Sequence, residues 1–344
     1  MLFNQPEIDS LDQHIWRTQR HQIVKKLKKI CQQHNFDFFY RRLDPLRLSH
    51  AVSETVIFVK IFDLIPDYDY WKNINDQCRL YGKQVFVITD NILCWNQFDL
   101  VKFVSDPHLL GITANYQQRP LGQHTHDKLF NCFIQRADSV RQSWFYFLKH
   151  HQLLDQGYVS YLLKSLVDYS DKTGVELYDF IHTKFELYRL ENFDTAYRQL
   201  KNCVPYRNFD ERLDLIPLIE TVKYNLVLET YAVEDDLDCW CVTEKTLRPL
   251  QFATIPLIFA QKGLLQQLIN LGFEIIYNSH DKLHWTQRQQ NLLEVLTNDM
   301  LEPVQQELHD VAAHNRSLLE SWQRKIHNAN YLEEMFESHR ITVS

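Results

Sequence analysis

Thr243-Glu244-Lys245, followed by Arg248 and Pro249, have the side-chain types that can grip an anion and a pair of neighbouring hydroxyls. A lysine neutralises phosphate charge, and a carboxylate beside it can accept two hydrogen bonds from a ribose diol. Pro249 has no N–H to donate inside a helix, so it belongs in a first turn. That predicts a helix from about Thr246, with Glu244 and Lys245 on the loop leading into it. Amides at such a helix start, with the helix dipole, favour an anion such as a diphosphate. Glu229 closes the apolar run Asn225–Thr230. In open parallel sheets, ligands settle just beyond such carboxyl ends. The same spacing also fits a surface ion pair, Glu244 with Arg248 at i, i+4, beside a solvated lysine.

Proton transfer from a hydroxyl would need a base. Asp63, Asp67, Asp69 and Asp90 lie near strand ends in the first half of the chain and have the right chemistry, though each type also caps helices and turns. Glu234-Asp235-Asp236-Leu237-Asp238 holds a second option. Asp236-x-Asp238 has the spacing with which some sites hold a divalent ion and a diphosphate, and it equally suits a solvated acidic loop. The seven cysteines include no CxxC pair and match no zinc module, and Cys239-Trp240-Cys241 is too close for an easy disulfide. Reduced thiols in a cytoplasmic compartment are expected. With seven scattered glycines, phosphate loops of the Walker and GxGxxG kinds are absent.

These residues need a scaffold, and the hydrophobic pattern supplies one. Val56–Val59 and Gln84–Ile88 are short apolar runs, separated by a helical stretch from Asp67 to Tyr81 that Gly82 stops. Leu129–Ile134 reads as a strand and Ser139–His150 as a helix. Asn225–Thr230, Ile255–Phe259 and Phe273–Tyr277 then alternate with helices at βαβαβ spacing, the last helix running from Lys262 to Leu271 before Gly272. Two or three helices follow from Trp285 to Ser338.

The chain has 344 residues, 45% hydrophobic and 24% charged, as in ordinary globular proteins. A net charge of −7 disfavours a nucleic-acid grip, since neutralising phosphates dominates that affinity. Lys25-Lys26-Leu27-Lys28-Lys29 falls on an amphipathic helix spanning about residues 10–35, and the simplest reading of it is a solvated face. Neither a signal peptide nor an apolar stretch long enough to span a membrane is evident.

As an ordered set, Asn225–Tyr231, Val242–Leu250, Ile255–Phe259, Leu264–Leu268 and Leu271–Phe273 resemble bacterial and phage glycosyltransferases. The pattern is similar to the donor-binding lobe of the α1,3-fucosyltransferases and, more distantly, of the exostosin-like enzymes. Phe130–Arg136 with Arg141, then Leu154–Ser160, resemble the opening of that lobe. The resemblance implies an α/β fold of two Rossmann-like lobes facing across a cleft, called GT-B, with extra C-terminal helices. It implies an acceptor-side lobe over 1–122, a donor lobe over 123–300, and helices over 301–344 packing back on both. The implied activity is an inverting, metal-independent transfer from a nucleoside-diphosphate sugar, with no cofactor required. Arg136, Arg141, Glu229, Thr243, Glu244, Lys245 and Arg248 would hold the donor. The acceptor would be a glycan, a lipid-linked glycan or a protein, not a nucleic acid. Two alternatives are a non-catalytic sugar-nucleotide-binding or interaction protein and a metal-dependent transferase using Asp236 and Asp238.

Overall fold

The computed structural model describes residues 8–40, 43, 48–60, 68–90, 92–93, 98–113, 126–134, 139–161, 206–207, 215–229, 232, 239–328, 330–339 and 341. The first half contains α1 (Ile8–Gln33), β1 (Asp37–Tyr40), β2 (Thr55–Lys60), α2 (Tyr68–Tyr81), β3 (Gln84–Thr89), β4 (Ile92–Leu93), β5 (Val101–Ser105) and α3 (Leu110–Thr113). Four of these strands form a parallel sheet in the order β1-β2-β3-β5. Its central strands read as unbroken apolar runs because both faces are covered. On one face Ile57, Val59, Phe86 and Ile88 meet Ile23 and Leu27 of α1. On the other, Val56, Phe58, Val85 and Val87 meet Trp71, Ile74 and Cys78 of α2. Gly82 ends α2 at φ +62°, a conformation that side chains with a Cβ rarely adopt.

The second half continues with β6 (Lys128–Ile134), α4 (Ser139–His150), β7 (Gly157–Tyr161), β8 (Tyr206–Arg207), α5 (Leu215–Glu220), β9 (Val222–Leu228), β10 (Cys239–Trp240), α6 (Glu244–Leu247), β11 (Ile255–Phe259) and α7 (Leu264–Asn270). It ends with α8 (Trp285–Asn298), α9 (Gln305–His327) and α10 (Tyr331–Ser338). The second sheet has the order β11-β9-β6-β7-β8. All its pairings are parallel except that of the short edge strand β8. From β6 the chain first moves sideways to β7, then crosses back to β9 and β11. The strand order therefore reverses between β6 and β9, the position where open α/β sheets leave a crevice at their carboxyl ends. The described strands of the first sheet follow chain order and have no such reversal.

The predicted strand Phe273–Tyr277 is absent, and β11 is the edge of the sheet. Its apolar residues are spent elsewhere. Phe273 packs edge-on against Trp322 of α9, their centroids 5.4 Å apart. The Asn315 side chain takes up the Glu274 backbone, accepting from its N–H and donating to its carbonyl, each at 2.9 Å. Glu274, with both backbone groups taken up in this way, has nothing left for a strand ladder.

Among the described residues, several contacts join the halves. β4 pairs antiparallel with β10, Ile92 opposite Trp240 and Leu93 opposite Cys239. Leu110 of α3 sits in the hydrophobic cluster of Val227, Leu247, Ile258 and Leu264. Helix α9 spans the junction, with Leu308 and Ala312 in the core of the second sheet and Ile326 in that of the first. The molecule is an α/β protein with two parallel-sheet lobes. Among the described residues no helix is long and apolar enough to cross a membrane.

Candidate functional site

The carboxyl end of β9 leads into a cluster of polar residues. Glu229 extends the ladder one residue past the strand, its N–H bonding to the Phe259 carbonyl at 2.9 Å. Its side chain is 3% exposed and accepts from the Thr243 N–H at 3.0 Å and the Thr246 hydroxyl at 2.6 Å. The Thr243 hydroxyl lies 2.9 and 2.8 Å from its two oxygens. A buried carboxylate ringed by three donors is a fixed structural post. Glu229 therefore positions the turn that follows, and its oxygens are already occupied. Glu229, expected to hold the donor, is buried and is not among the residues lining the cavity of Glu244, Lys245 and Arg248.

Held in this way, Thr243 is extended (φ −114°, ψ 174°), and its hydroxyl accepts from the Lys245 N–H, so Thr243 caps the helix. Helix α6 thus begins at Glu244, two residues before the predicted start, and Glu244 and Lys245 form its first turn. Pro249 opens the following 3-10 turn, Pro249–Gln251. A second expectation is corrected with it. The Thr246 and Leu247 N–H groups bond to the Thr243 carbonyl at 3.2 Å, so these amides are spent internally. The next helix start is closed too, because Asp281 accepts from the Leu265 and Gln266 N–H groups at 3.1 and 3.0 Å. An anion held here would draw mainly on side chains, since of the first-turn amides only the Glu244 N–H has no acceptor among the described residues.

Those side chains are present. Glu244, Lys245 and Arg248 are half-buried and line a cavity of about 90 Å³ with Asn131, Phe133, Ile219, Asn225 and Pro249. Among the described residues none of the three makes a side-chain hydrogen bond or ion pair, and the i, i+4 pair of Glu244 with Arg248 does not form. The walls behind them are rigid. Asn131 donates to Asn225 and to the Leu218 carbonyl, and Asn225 donates to Thr254 at 2.6 Å and to the Ile219 carbonyl at 3.3 Å. This network ties α5 to β6 and β9, the two strands at which the order reverses. It escaped the sequence reading, although an asparagine in the middle of each of two apolar strands was a usable signal.

A larger cavity, about 490 Å³, lies at the opposite, amino end of the sheet between Lys128, Lys223, Asp299 and Glu302. Its charges are matched from within. Lys223 pairs with Asp299 at 2.7 Å, and the Tyr224 hydroxyl donates to the same carboxylate at 2.8 Å. The smaller cavity is the better candidate, since it combines uncommitted charges with the strand reversal.

The chain matches no family model, no curated protein and no solved structure.

The remaining predicted residues are dispersed. Arg141 is buried on the α4 side of the sheet, its guanidinium 3.5 Å from the Leu228 carbonyl, and it does not line the Glu244–Arg248 cavity. Asp69 is exposed in the first turn of α2, and Asp90 is buried directly after β3. Asp63, Asp67, Arg136, Asp236 and Asp238 lie outside the described residues. Among the described residues no cluster of His, Cys, Asp or Glu is arranged to hold a metal ion. Burial pushes the thiols of Cys31, Cys78 and Cys132 up to about 12, so these cysteines serve as core and not as nucleophiles.

Proposed function

We propose that the protein is a glycosyltransferase of GT-B-like arrangement that binds a nucleoside-diphosphate sugar at the Glu244–Arg248 cavity. One observation carries this reading: Glu244, Lys245 and Arg248 are half-buried, without side-chain partners among the described residues, and held on a post of fully committed ones. Charged groups taken partly out of water are costly unless something pairs with them, and a ligand with phosphates and a diol would do so. Lys245 and Arg248 face the diphosphate, and Glu244 accepts from the ribose hydroxyls. A cavity of about 90 Å³ takes a phosphate or a ring, not a whole nucleotide sugar. The sugar then extends toward the carboxyl edge of the sheet.

In the transfer, the bond from the sugar's anomeric carbon to the phosphate oxygen breaks as the acceptor oxygen attacks from the opposite face, which inverts the centre. The acceptor proton passes to a base, and the diphosphate departs with the electron pair. Lys245 and Arg248 stabilise the leaving charge without a metal. A carboxylate of the first lobe, one of Asp63, Asp67, Asp69 and Asp90, would supply that base.

Calorimetry with a panel of uridine, guanosine and thymidine diphosphate sugars tests the reading. The expected result is one clear binder, with affinity lowered at least tenfold in Lys245→Ala and in Glu244→Ala. A panel without any binder, or variants that bind as the parent does, overturns it. Binding without release of nucleoside diphosphate across a broad acceptor panel favours a non-catalytic sugar-nucleotide-binding protein.

A further inference from the structure

Between Gln13 and Phe36 the sequence has six lysines and arginines and no carboxylate, although the whole chain has a net charge of −7. Most of this stretch is α1. Ile23, Leu27, Ile30 and Cys31 are buried against the first sheet, which fixes the helix about its axis. Lys25, Lys26, Lys28 and Lys29 are all exposed and fan out over the opposite side. None of the four forms a hydrogen bond or ion pair among the described residues. Solubility alone does not call for four cations gathered on one helix of an acidic protein.

We infer that this face is a docking surface for an anionic lipid bilayer, independent of the donor cavity. Two features favour a flat anionic sheet over a nucleic acid. A helix that reads base edges lies in the major groove. α1 cannot lie there, because α10 packs beside it in the same cluster and only its outer side is offered. That outer side has no aromatic residue between Gln22 and Gln33 on which a base could stack. It has no apolar residue that inserts into acyl chains either, so attachment is by charge at the lipid headgroups. Glu333, Glu334 and Glu337 of α10 are exposed as well.

The test is co-sedimentation of the full chain with vesicles of phosphatidylcholine alone and of phosphatidylcholine with phosphatidylglycerol in a roughly two-to-one ratio. Binding is expected only to the mixed vesicles and should fall roughly fivefold for each lysine removed. Replacing all four (Lys25→Gln, Lys26→Gln, Lys28→Gln, Lys29→Gln) should abolish it with an unchanged thermal midpoint, since all four are exposed. Raising salt from ~0.1 M to ~1 M should release the wild type, as screening shortens from about 10 Å to about 3 Å. Failure of the wild type to sediment with mixed vesicles overturns the inference, as does equal binding by the fourfold variant. Retention on single- or double-stranded DNA at a salt concentration that releases the vesicles overturns it in favour of a nucleic-acid surface.

Discussion

Two carboxylates fifteen residues apart in sequence have opposite fates at this site. Glu229 is enclosed by donors from Thr243 and Thr246, whereas Glu244 is half-buried at a cavity wall with no side-chain partner among the described residues. Stability and binding should separate accordingly. Glu229→Gln turns one acceptor into an amide donor facing hydroxyl and N–H donors, and should cost about 2–3 kcal/mol, read from urea denaturation. Lys245→Ala removes no internal contact and should stay within ~0.5 kcal/mol of the parent while losing affinity for the ligand. A Glu229→Gln protein as stable as the parent would show that the carboxylate is not the post described. Glu244, Lys245 and Arg248 could be gathered from sequence because their spacing places them on adjacent helical turns. The role of Glu229 could not, since it depends on Thr243 and Thr246 folding back across fourteen and seventeen residues.

At the level of elements, strands buried on both faces were legible as unbroken apolar runs, and Gly82 and Gly272 marked helix ends with positive φ. Phe273–Tyr277 was misread because the same apolar signal serves a loop when a distant side chain takes over its backbone, as Asn315 does. A second long-range tie shows the same dependence. Asp106 follows β5, accepts from the His108 N–H at 2.9 Å and pairs with the His108 ring at 2.8 Å. The Tyr331 hydroxyl of α10 also donates to it. Burial pushes the Asp106 carboxyl up, but the hydrogen bonds from His108 and Tyr331 outweigh that and hold it below the usual carboxylate value. A carboxyl lowered in the folded state stabilises above its unfolded value of about 3.9, and that contribution is lost as pH falls through the folded value. Asp106→Asn should therefore cost about 1–3 kcal/mol at pH 5 to 6, with the gap to wild type shrinking toward pH 3. Urea midpoints measured across that range decide it; a gap that widens on acidification contradicts the assignment.

For the whole molecule, the question is whether two lobes with separate sheets behave as one unit. Lobes joined by a linker alone move and melt independently. Here the joining contacts lie inside the cores: the β4–β10 pairing, Leu110 among the residues of the second lobe, and α9 contributing to both. α9 also comes close to α3 at Gly111, whose carbonyl accepts from the Gln323 side chain at 2.9 Å. A Cβ there would sit 3.1 Å from both the Gln323 nitrogen and the Trp322 Cβ. Because α9 cannot leave one lobe without exposing apolar surface on the other, thermal unfolding should be a single transition. Far- and near-ultraviolet dichroism should coincide, and calorimetric and van't Hoff enthalpies should agree. Gly111→Ala should lower that one midpoint through overpacking of about 1–3 kcal/mol, without splitting it. Two resolved transitions in the parent would mean that the lobes fold separately and that α9 is a strap across them and not a shared wall.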